Sequence, residues 1–197
     1  LGVLEKELWL YRALNGRTIV FSKDIAEKST TLTYGYDVAL GIASIIGKET
    51  AFGEAFHITS DESYTWKEIL EIYLDTIEKK TGMRPKVLLL DKSPHLEWIG
   101  AKWQVILDRY YNRRFDNSKI QQYIDTSQFV RTESGLISCL ESFLCHPQFK
   151  KMGWGIQGTY DRITGEWAPF SEISIIKDCI SYLLHRTVVP PKSKLSI

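Results

Sequence analysis

The residues with the most evident chemistry are two adjacent arginines, Arg113 and Arg114, in a polar stretch of the chain. An arginine guanidinium presents a planar fork of donors that can hold a phosphate through two hydrogen bonds. The same pair could equally form ion pairs at the surface. A glycine-rich stretch at residues 153–158 lacks the Lys-Ser/Thr ending of a phosphate loop, so we interpret it as a flexible turn.

Other common catalytic patterns are absent from the sequence. The four histidines are scattered, and neither an H-x-x-x-H nor a C-x-x-C spacing accompanies them, so we expect no metal site. There is also no G-x-S-x-G motif of the kind that positions the nucleophile of a hydrolase.

The composition predicts a chain that buries a core and has no electrostatic reason to bind nucleic acid or a membrane. Of the 197 residues 44% are hydrophobic, and 25 basic against 24 acidic residues leave a net charge of +1. Three cysteines without a short paired spacing argue against a disulfide framework and predict a cytoplasmic protein. No apolar run approaches the roughly 20 residues that span a bilayer. Because the first residue is Leu1 and not Met, we expect the chain to begin at a cut.

The hydrophobic pattern alternates between helical and extended periods, which predicts an α/β fold. Thr65 and Glu68 have the form of a capping box, and the helix that they open is expected to end at Gly82. Helices are predicted at residues 4–14, 36–46, 65–81, 96–111, 132–145 and 171–185. Extended segments are predicted at residues 18–21, 30–33, 55–58, 86–90 and 113–115.

Two of these helices have apolar positions that we expect to face the core. In the helix at residues 36–46 these are Val38, Ile42, Ile45 and Ile46. In the last helix they are Ile173, Ile176, Ile180, Leu183 and Leu184. We expect a solvated loop at residues 22–29, an ordered loop at residues 150–169, and a loose tail from Pro190 onward.

Three segments resemble the second half of the NAD-dependent epimerase/dehydratase family, the extended short-chain dehydrogenases/reductases. Residues 14–20 followed by 31–39 resemble its "G-R-x-I-V, strand, x-x-D-V-A" passage, in which the aspartate, here Asp37, opens a helix. Residues 53–62 followed by 65–69 are similar to its "G-E-x-F-N/H-I-T, capped helix" passage, and residues 115–120 are similar to its "D-x-S-K-I" turn. The resemblance covers residues 9–143, and the order and spacing of the segments make it specific.

The resemblance implies the C-terminal part of an extended short-chain dehydrogenase/reductase fold, without most of the Rossmann half that binds NAD. It implies that residues 1–149 are the substrate-binding portion and residues 150–197 a C-terminal extension with one amphipathic helix and a loose tail. Neither the glycine-rich turn nor the Tyr-x-x-x-Lys pair of the family occurs here, so we expect no catalytic residue in this chain and no NAD binding by it alone.

The resemblance also implies which residues bind a nucleotide-sugar. Relatives hold it through an arginine ahead of the x-x-D-V-A helix, where this chain has Thr30, so either Lys23 or Lys28 holds the phosphate or that contact is absent. Some relatives place arginines before the D-x-S-K-I turn. Arg113 and Arg114 lie close to that position, and we favour Arg114 because Phe115 would face the other way in a strand. Tyr34 and Tyr36 could line a sugar pocket or pack in the core.

Three functions therefore stay open. The first is the substrate-binding fragment of a nucleotide-sugar epimerase/dehydratase, whose partner is the missing Rossmann half. The second is a reductase-type member that acts on another small substrate. The third is a non-catalytic interaction module that uses Trp154, Tyr160, Trp167 and Phe170 as a contact surface. An uncovered sheet edge and apolar face would favour self-association.

Overall fold

The computed structural model describes residues 6–97, 99–149 and 152–188. These residues form a mixed α/β structure with two small sheets, which confirms the predicted α/β class. The α-helices are α1 (Tyr11–Leu14), α2 (Lys23–Ala26), α3 (Gly35–Ile45), α4 (Trp66–Thr81), α5 (Ile99–Gln104), α6 (Thr132–Cys145), α7 (Trp154–Thr164) and α8 (Ile176–Leu183). The strands are β1 (Ile19–Ser22), β2 (Ser29–Thr30), β3 (Tyr64–Thr65) and β4 (Val87–Leu90).

Shorter helical turns join these elements. Turns of π-helix lie at Lys6–Leu10, Val105–Arg109 and Leu184–Val188. Turns of 3-10 helix lie at Glu49–Ala51, Pro94–Glu97, Ile120–Gln122, Thr126–Gln128 and Phe170–Glu172. Among the described residues, no helix is both long and apolar enough to cross a membrane.

The chain divides into two compact units. Unit 1 comprises Leu1–Ile25, Met83–Tyr110 and Pro147–Ile197, and unit 2 comprises Ala26–Gly82 and Tyr111–His146. The predicted boundary between residues 149 and 150 concerns the extent of a family resemblance, and it stays a prediction because the packing of the chain does not test it.

Unit 1 contains a parallel pair of strands, in which Ile19 of β1 lies opposite Val87 of β4 and Ser22 lies opposite Leu90. All four residues of β1 are buried, as expected for an apolar run in a parallel sheet. Val87 and Leu89 of β4 are exposed and the alternate residues Leu88 and Leu90 are half-buried, so the two faces of β4 differ in exposure.

The core of unit 1 is rich in aromatic rings. Tyr11, Trp154 and Tyr182 are buried and meet edge to face, with ring centroids 5.9 Å apart for Tyr11 and Trp154 and 6.2 Å apart for Trp154 and Tyr182. Ala168 and Ile173 complete this cluster. The segment after residue 147 therefore packs on the N-terminal helix of the same unit.

The prediction of a loop at residues 150–169 is wrong, because α7 occupies most of this segment. Its glycines gave the stretch the composition of a turn, but two of them serve close helix packing instead. A Cβ on Gly158 would lie 2.4 Å from the carbonyl oxygen of Tyr182, and one on Gly155 would lie 2.9 Å from the hydroxyl of Ser181. The helix ends before Gly165, whose φ of 75° suits glycine.

Unit 2 is built around α4, whose capping box and C-terminal glycine are confirmed. The Thr65 hydroxyl accepts from the Glu68 backbone N–H, and the Glu68 carboxylate accepts from the Thr65 backbone N–H. Gly82 follows the helix at a φ of 77°. The helix buries six side chains within this unit: Trp66, Ile69, Leu70, Leu74, Thr76 and Ile77.

The strand predicted at residues 55–58 is wrong as well, since these residues pair with no strand in the described parts of the chain. An extended pattern forms a strand only where a second backbone is available for hydrogen bonds. Here side chains supply them just beyond the segment. The Asn117 side-chain nitrogen donates to the Thr59 carbonyl at 2.7 Å, and the Thr33 hydroxyl accepts from the Ser60 N–H at 2.9 Å.

Three further expectations need correction. Residues 22–29 are not a simple solvated loop, because α2 buries Ile25. Of the extended segment predicted at residues 30–33, only Thr30 lies in a strand, as the last residue of β2. Residues 113–115 form no strand. The expected tail from Pro190 onward lies outside the described residues.

Two apolar helix faces also point the wrong way. In α3, Val38 and Ile45 are half-buried as predicted, but Ile42 is 48% exposed and Ile46 just beyond the helix is 72% exposed, whereas Asp37 is buried and accepts from the Val130 N–H at 2.9 Å. In the last helix Ile173 is buried, but Ile176, Ile180, Leu183 and Leu184 are exposed. The period of a sequence locates the apolar side of a helix, but it does not determine whether that side faces the core.

Candidate functional site

Unit 2 contains a polar cleft of about 370 Å³. Its lining comes from three parts of the chain that are far apart in sequence: the segment after β2, the segment before β3, and the segment before Ile120–Gln122. The lining residues are Thr31, Ser60, Asp61, Ser63, Arg114 and Phe115.

Asn117 holds the second of these segments in place. Its side-chain oxygen accepts from the Thr59 hydroxyl at 3.0 Å, and its nitrogen donates to the Thr59 carbonyl and to Asp61 Oδ1, both at 2.7 Å. Asn117 is 4% exposed, so these bonds are made away from water. Asn117 was not among the site residues predicted from the sequence, although its position inside the D-x-S-K-I-like turn was a signal.

Arg113 holds the first segment. Its backbone N–H donates to the Ser29 carbonyl at 2.9 Å, its carbonyl accepts from the Thr31 hydroxyl at 3.1 Å, and its guanidinium donates to the Thr30 hydroxyl. The Thr31 and Ser63 hydroxyls lie 3.0 Å apart. Arg113 therefore supports the wall of the cleft, and its neighbour Arg114 lines it.

The Arg114 guanidinium has no hydrogen bond or ion pair to any described residue, and Arg114 is exposed. The Asp61 carboxylate is instead well supported, because Oδ1 accepts from Asn117 and Oδ2 accepts from the Thr126 hydroxyl at 2.8 Å. The cleft thus offers one unpaired cation and one anion that is held in a fixed orientation.

Phe115 lines the cleft beside Arg114, which corrects the expectation that the two side chains would point apart. That expectation assumed a strand, and no strand forms here. The Phe115 ring meets His57 edge to face, with centroids 5.0 Å apart. Next to it, hydrogen bonds from the Ser118 backbone N–H and hydroxyl hold the pKa of Asp116 below its usual value, with a smaller contribution from His57.

The other residues expected to bind substrate lie elsewhere. Tyr34 precedes α3 and packs on α6, where a Cβ added to Gly135 would lie 3.3 Å from its ring. Lys23 belongs to unit 1, and its ammonium group forms an exposed ion pair with Asp91 at 2.8 Å. The carbonyl of Lys28 accepts from the Trp66 N–H at 3.1 Å, but the residue does not line the cleft.

Unit 1 contains a second polar cluster that the sequence analysis did not find. Arg12 is fully buried, and its guanidinium donates to the carboxylates of Asp161 at 2.6 Å and Glu166 at 2.9 Å, and to the Gln157 side chain at 3.1 Å. Its Nε donates to the Thr18 carbonyl at 2.7 Å. These hydrogen bonds connect α1 with the residue before β1 and with α7 and the segment that follows it.

Asp161 is the centre of that cluster. It is fully buried and also accepts from Arg17 Nη1 at 3.1 Å and from the Tyr182 hydroxyl at 2.8 Å. Burial and, less strongly, the Asp161 charge raise the pKa of Tyr182 to about 12, although the hydrogen bond from the Ala168 N–H opposes this. Because its groups bind one another, we assign the cluster a structural role.

The aromatic surface considered for an interaction module is only partly exposed. Trp154 and Tyr160 are buried, because they lie on the face of α7 that packs inside unit 1. Trp167 is 51% exposed and Phe170 is 52% exposed. Both remain available as contact residues.

The described residues do not fit a dinucleotide. Lys23 of α2 follows β1 directly, and Asp91-Lys92-Ser93 follows β4, so neither strand leads into the glycine-rich turn that cradles a pyrophosphate. No group of three or more potential ligands for a metal ion occurs within the described residues.

No protein-family model matches the chain, and no curated protein or solved structure matches it either.

Proposed function

We propose that this chain is the substrate-binding portion of an NAD-dependent nucleotide-sugar epimerase/dehydratase, with the fold of the C-terminal part of an extended short-chain dehydrogenase/reductase. One observation carries the proposal. Each of the three family-like segments contributes a residue to the same cleft: Thr31 from the first, Ser60 and Asp61 from the second, and Phe115 from the third. The three segments were selected for their resemblance to the family and not for any expected proximity, so their contribution to one cleft supports the proposal independently.

The groups that line the cleft suit a diphosphate joined to a sugar. The free guanidinium of Arg114 can bind phosphate oxygens bidentately, and the Ser63 hydroxyl, which lies 3.0 Å from that of Thr31, can donate to the same anion. The Asp61 carboxylate would repel phosphate, but it can accept hydrogen bonds from sugar hydroxyls. We therefore propose that the phosphates lie toward Arg114 and the sugar toward Asp61.

The reaction itself would need NAD bound by another part of the enzyme. In the family, oxidation of a sugar hydroxyl by NAD+ enables epimerisation or elimination, and the cofactor supplies that chemistry. The contribution of this chain would be to bind and orient the substrate, and we expect it to be inactive alone.

Isothermal titration calorimetry with UDP- and dTDP-sugars tests the proposal. We expect the wild-type chain to bind, and Arg114→Ala to raise the dissociation constant at least about tenfold, because hydrogen bonds to charged groups contribute about 1.5–3 kcal/mol. Arg131→Ala is the matched control, since Arg131 is an exposed arginine of unit 2 that does not line the cleft. Arg114→Lys should restore part of the affinity, because it keeps the charge and loses the fork.

Two results would overturn the proposal. Equal affinity of Arg114→Ala and the wild-type chain would remove Arg114 from the site. Tight binding of NAD+ by the chain alone would contradict the assignment as a substrate-binding portion.

A non-catalytic interaction module is the second candidate, and one observation favours it. Trp167 and Phe170 expose about half of their surface, which is typical of aromatic residues that contact another protein. A wild-type chain that binds none of the nucleotide-sugars would favour this candidate over the first.

A further inference from the structure

The side of α8 that packs within unit 1 places the Tyr182 ring in the aromatic core and meets α7 through polar groups. Ser181 and His185 lie against Gly155 of α7, and the backbone at Tyr182 lies against Gly158. Tyr182 directs its hydroxyl to Asp161. The contact with α7 thus uses polar groups and close backbone approach, which the two glycines allow.

The opposite side of the same helix is apolar and exposed. Ile176 is 79% exposed, Ile180 54%, Leu183 37% and Leu184 44%, and Val188 of the π-helical turn that continues the helix is 66% exposed. The first four occupy positions i, i+4, i+7 and i+8, the spacing of one helical stripe. An amphipathic helix normally buries this stripe, so its exposure requires an apolar partner.

We call these five residues, together with the neighbouring Ile175, the α8 surface. Ile175 is 57% exposed, and at about 200 Å² for a large apolar residue the six exposed fractions amount to about 700 Å². Trp167 and Phe170 contact Tyr182 on the packed side of the helix and are not counted in this area. A monomer typically exposes a patch of about 300–600 Å² at most, and a standard interface buries about 800 Å² on each partner.

We propose that a second copy of this chain covers the α8 surface, with the two α8 helices packed antiparallel about a two-fold axis. An uncharged stripe is complementary to itself, because no side chain in it repels its own copy. Lys177 flanks the stripe in the first turn of α8, where its charge opposes the dipole of its own helix. In an antiparallel pair that ammonium group lies beside the C-terminal carbonyls of the other helix, which favour it.

The interface is therefore helix on helix, and its central residue is Ile180. This places the expected self-association on unit 1. It does not depend on the proposed function, since no residue of the polar cleft contributes to it.

Sedimentation velocity of the full chain tests the proposal. We expect the wild-type chain to have twice its monomer mass of 22.7 kDa, and Ile180→Glu to raise the dissociation constant of the dimer at least about tenfold. The matched control is Ile42→Glu, which places the same charge on the exposed stripe of α3, where Ile42 is 48% exposed. This control should remain a dimer.

Circular dichroism checks that each variant folds, and Ile176→Glu, at the most exposed position of the stripe, replaces Ile180→Glu if that variant does not. A monomeric wild-type chain would overturn the proposal. So would a dimer that survives in Ile180→Glu or in its replacement, or one that dissociates in Ile42→Glu. Nucleotide-sugar binding by Ile180→Glu should equal that of the wild-type chain, so the test separates this proposal from the proposed function.

Discussion

The substitution Asp161→Asn should destabilise unit 1 strongly. Asp161 is fully buried and accepts hydrogen bonds from Arg12, Arg17 and Tyr182. Asparagine keeps the shape and removes the charge, so two buried guanidinium groups lose their shared partner. Among the described residues, Arg12 then keeps Glu166 as an anionic partner and Arg17 keeps Glu172 at 3.8 Å, and the side chains of these glutamates are 26% and 28% exposed.

Removing one partner of a buried ion pair costs about 3–5 kcal/mol, because the remaining charge is left without compensation. A typical domain is stable by about 5–15 kcal/mol, so the loss is a large part of the total. With a denaturant dependence of about 2 kcal/mol per molar urea, the midpoint of unfolding should fall by about 2 M.

Urea unfolding followed by tryptophan fluorescence is a suitable assay. Of the six tryptophans only Trp66 belongs to the segments that form unit 2, so the signal reports mainly on unit 1. Asp91→Asn is the matched control, because Asp91 forms an ion pair at 2.8 Å in the same unit but its side chain is 88% exposed. It should leave the midpoint unchanged.

A loss below about 1 kcal/mol for Asp161→Asn would refute the reasoning, since that is the contribution of an exposed ion pair. It would mean that water reaches the cluster and screens its charges.

Two further predictions concern helix packing and alkaline pH. Gly158→Ala should lower the free energy of unfolding by about 1–3 kcal/mol in thermal unfolding, because its Cβ would lie 2.4 Å from the Tyr182 carbonyl oxygen. The control Gly35→Ala, whose Cβ would have nothing within 4 Å, should be neutral or stabilising. Equal effects of the two substitutions would contradict this packing. Burial raises the pKa of Tyr73 to about 12 from a value of 10.0, so between pH 10 and 12 the unfolded chain releases a proton that the folded chain keeps. The free energy of unfolding should therefore fall as the pH rises through this range, and the fall should be shallower in Tyr73→Phe; an unchanged slope would exclude Tyr73 as its source.

Local features of the fold were predictable because they depend on neighbours in the sequence. The capping box of Thr65 and Glu68 and the glycine after α4 need only residues three or four positions apart. β1 and β4 were predicted for a similar reason, since each is a short run of apolar residues. Residues 55–58 have the same type of pattern, but a strand also needs a partner, and they have none among the described residues.

For the cleft, the sequence supplied Arg114 as a candidate and a reason to select it. It favoured Arg114 over Arg113 on the assumption of a strand, and no strand forms at residues 113–115. Only the fold turns the Arg113 guanidinium to Thr30 and leaves that of Arg114 free. Asn117 was not selected either, since its hydrogen bonds reach residues 56 and 58 positions away.

The sequence by itself determined the α/β class, the best-defined helix and the periodicity of the amphipathic helices. It also determined the three segments whose residues line one cleft. Only the tertiary structure decided which side of α8 faces the core, and that Arg12 and Asp161, which are 149 positions apart, form a buried pair. The physical reason is the range of the interactions: capping and helical period act within a turn or two, whereas burial and charge pairing depend on residues that the complete fold brings together.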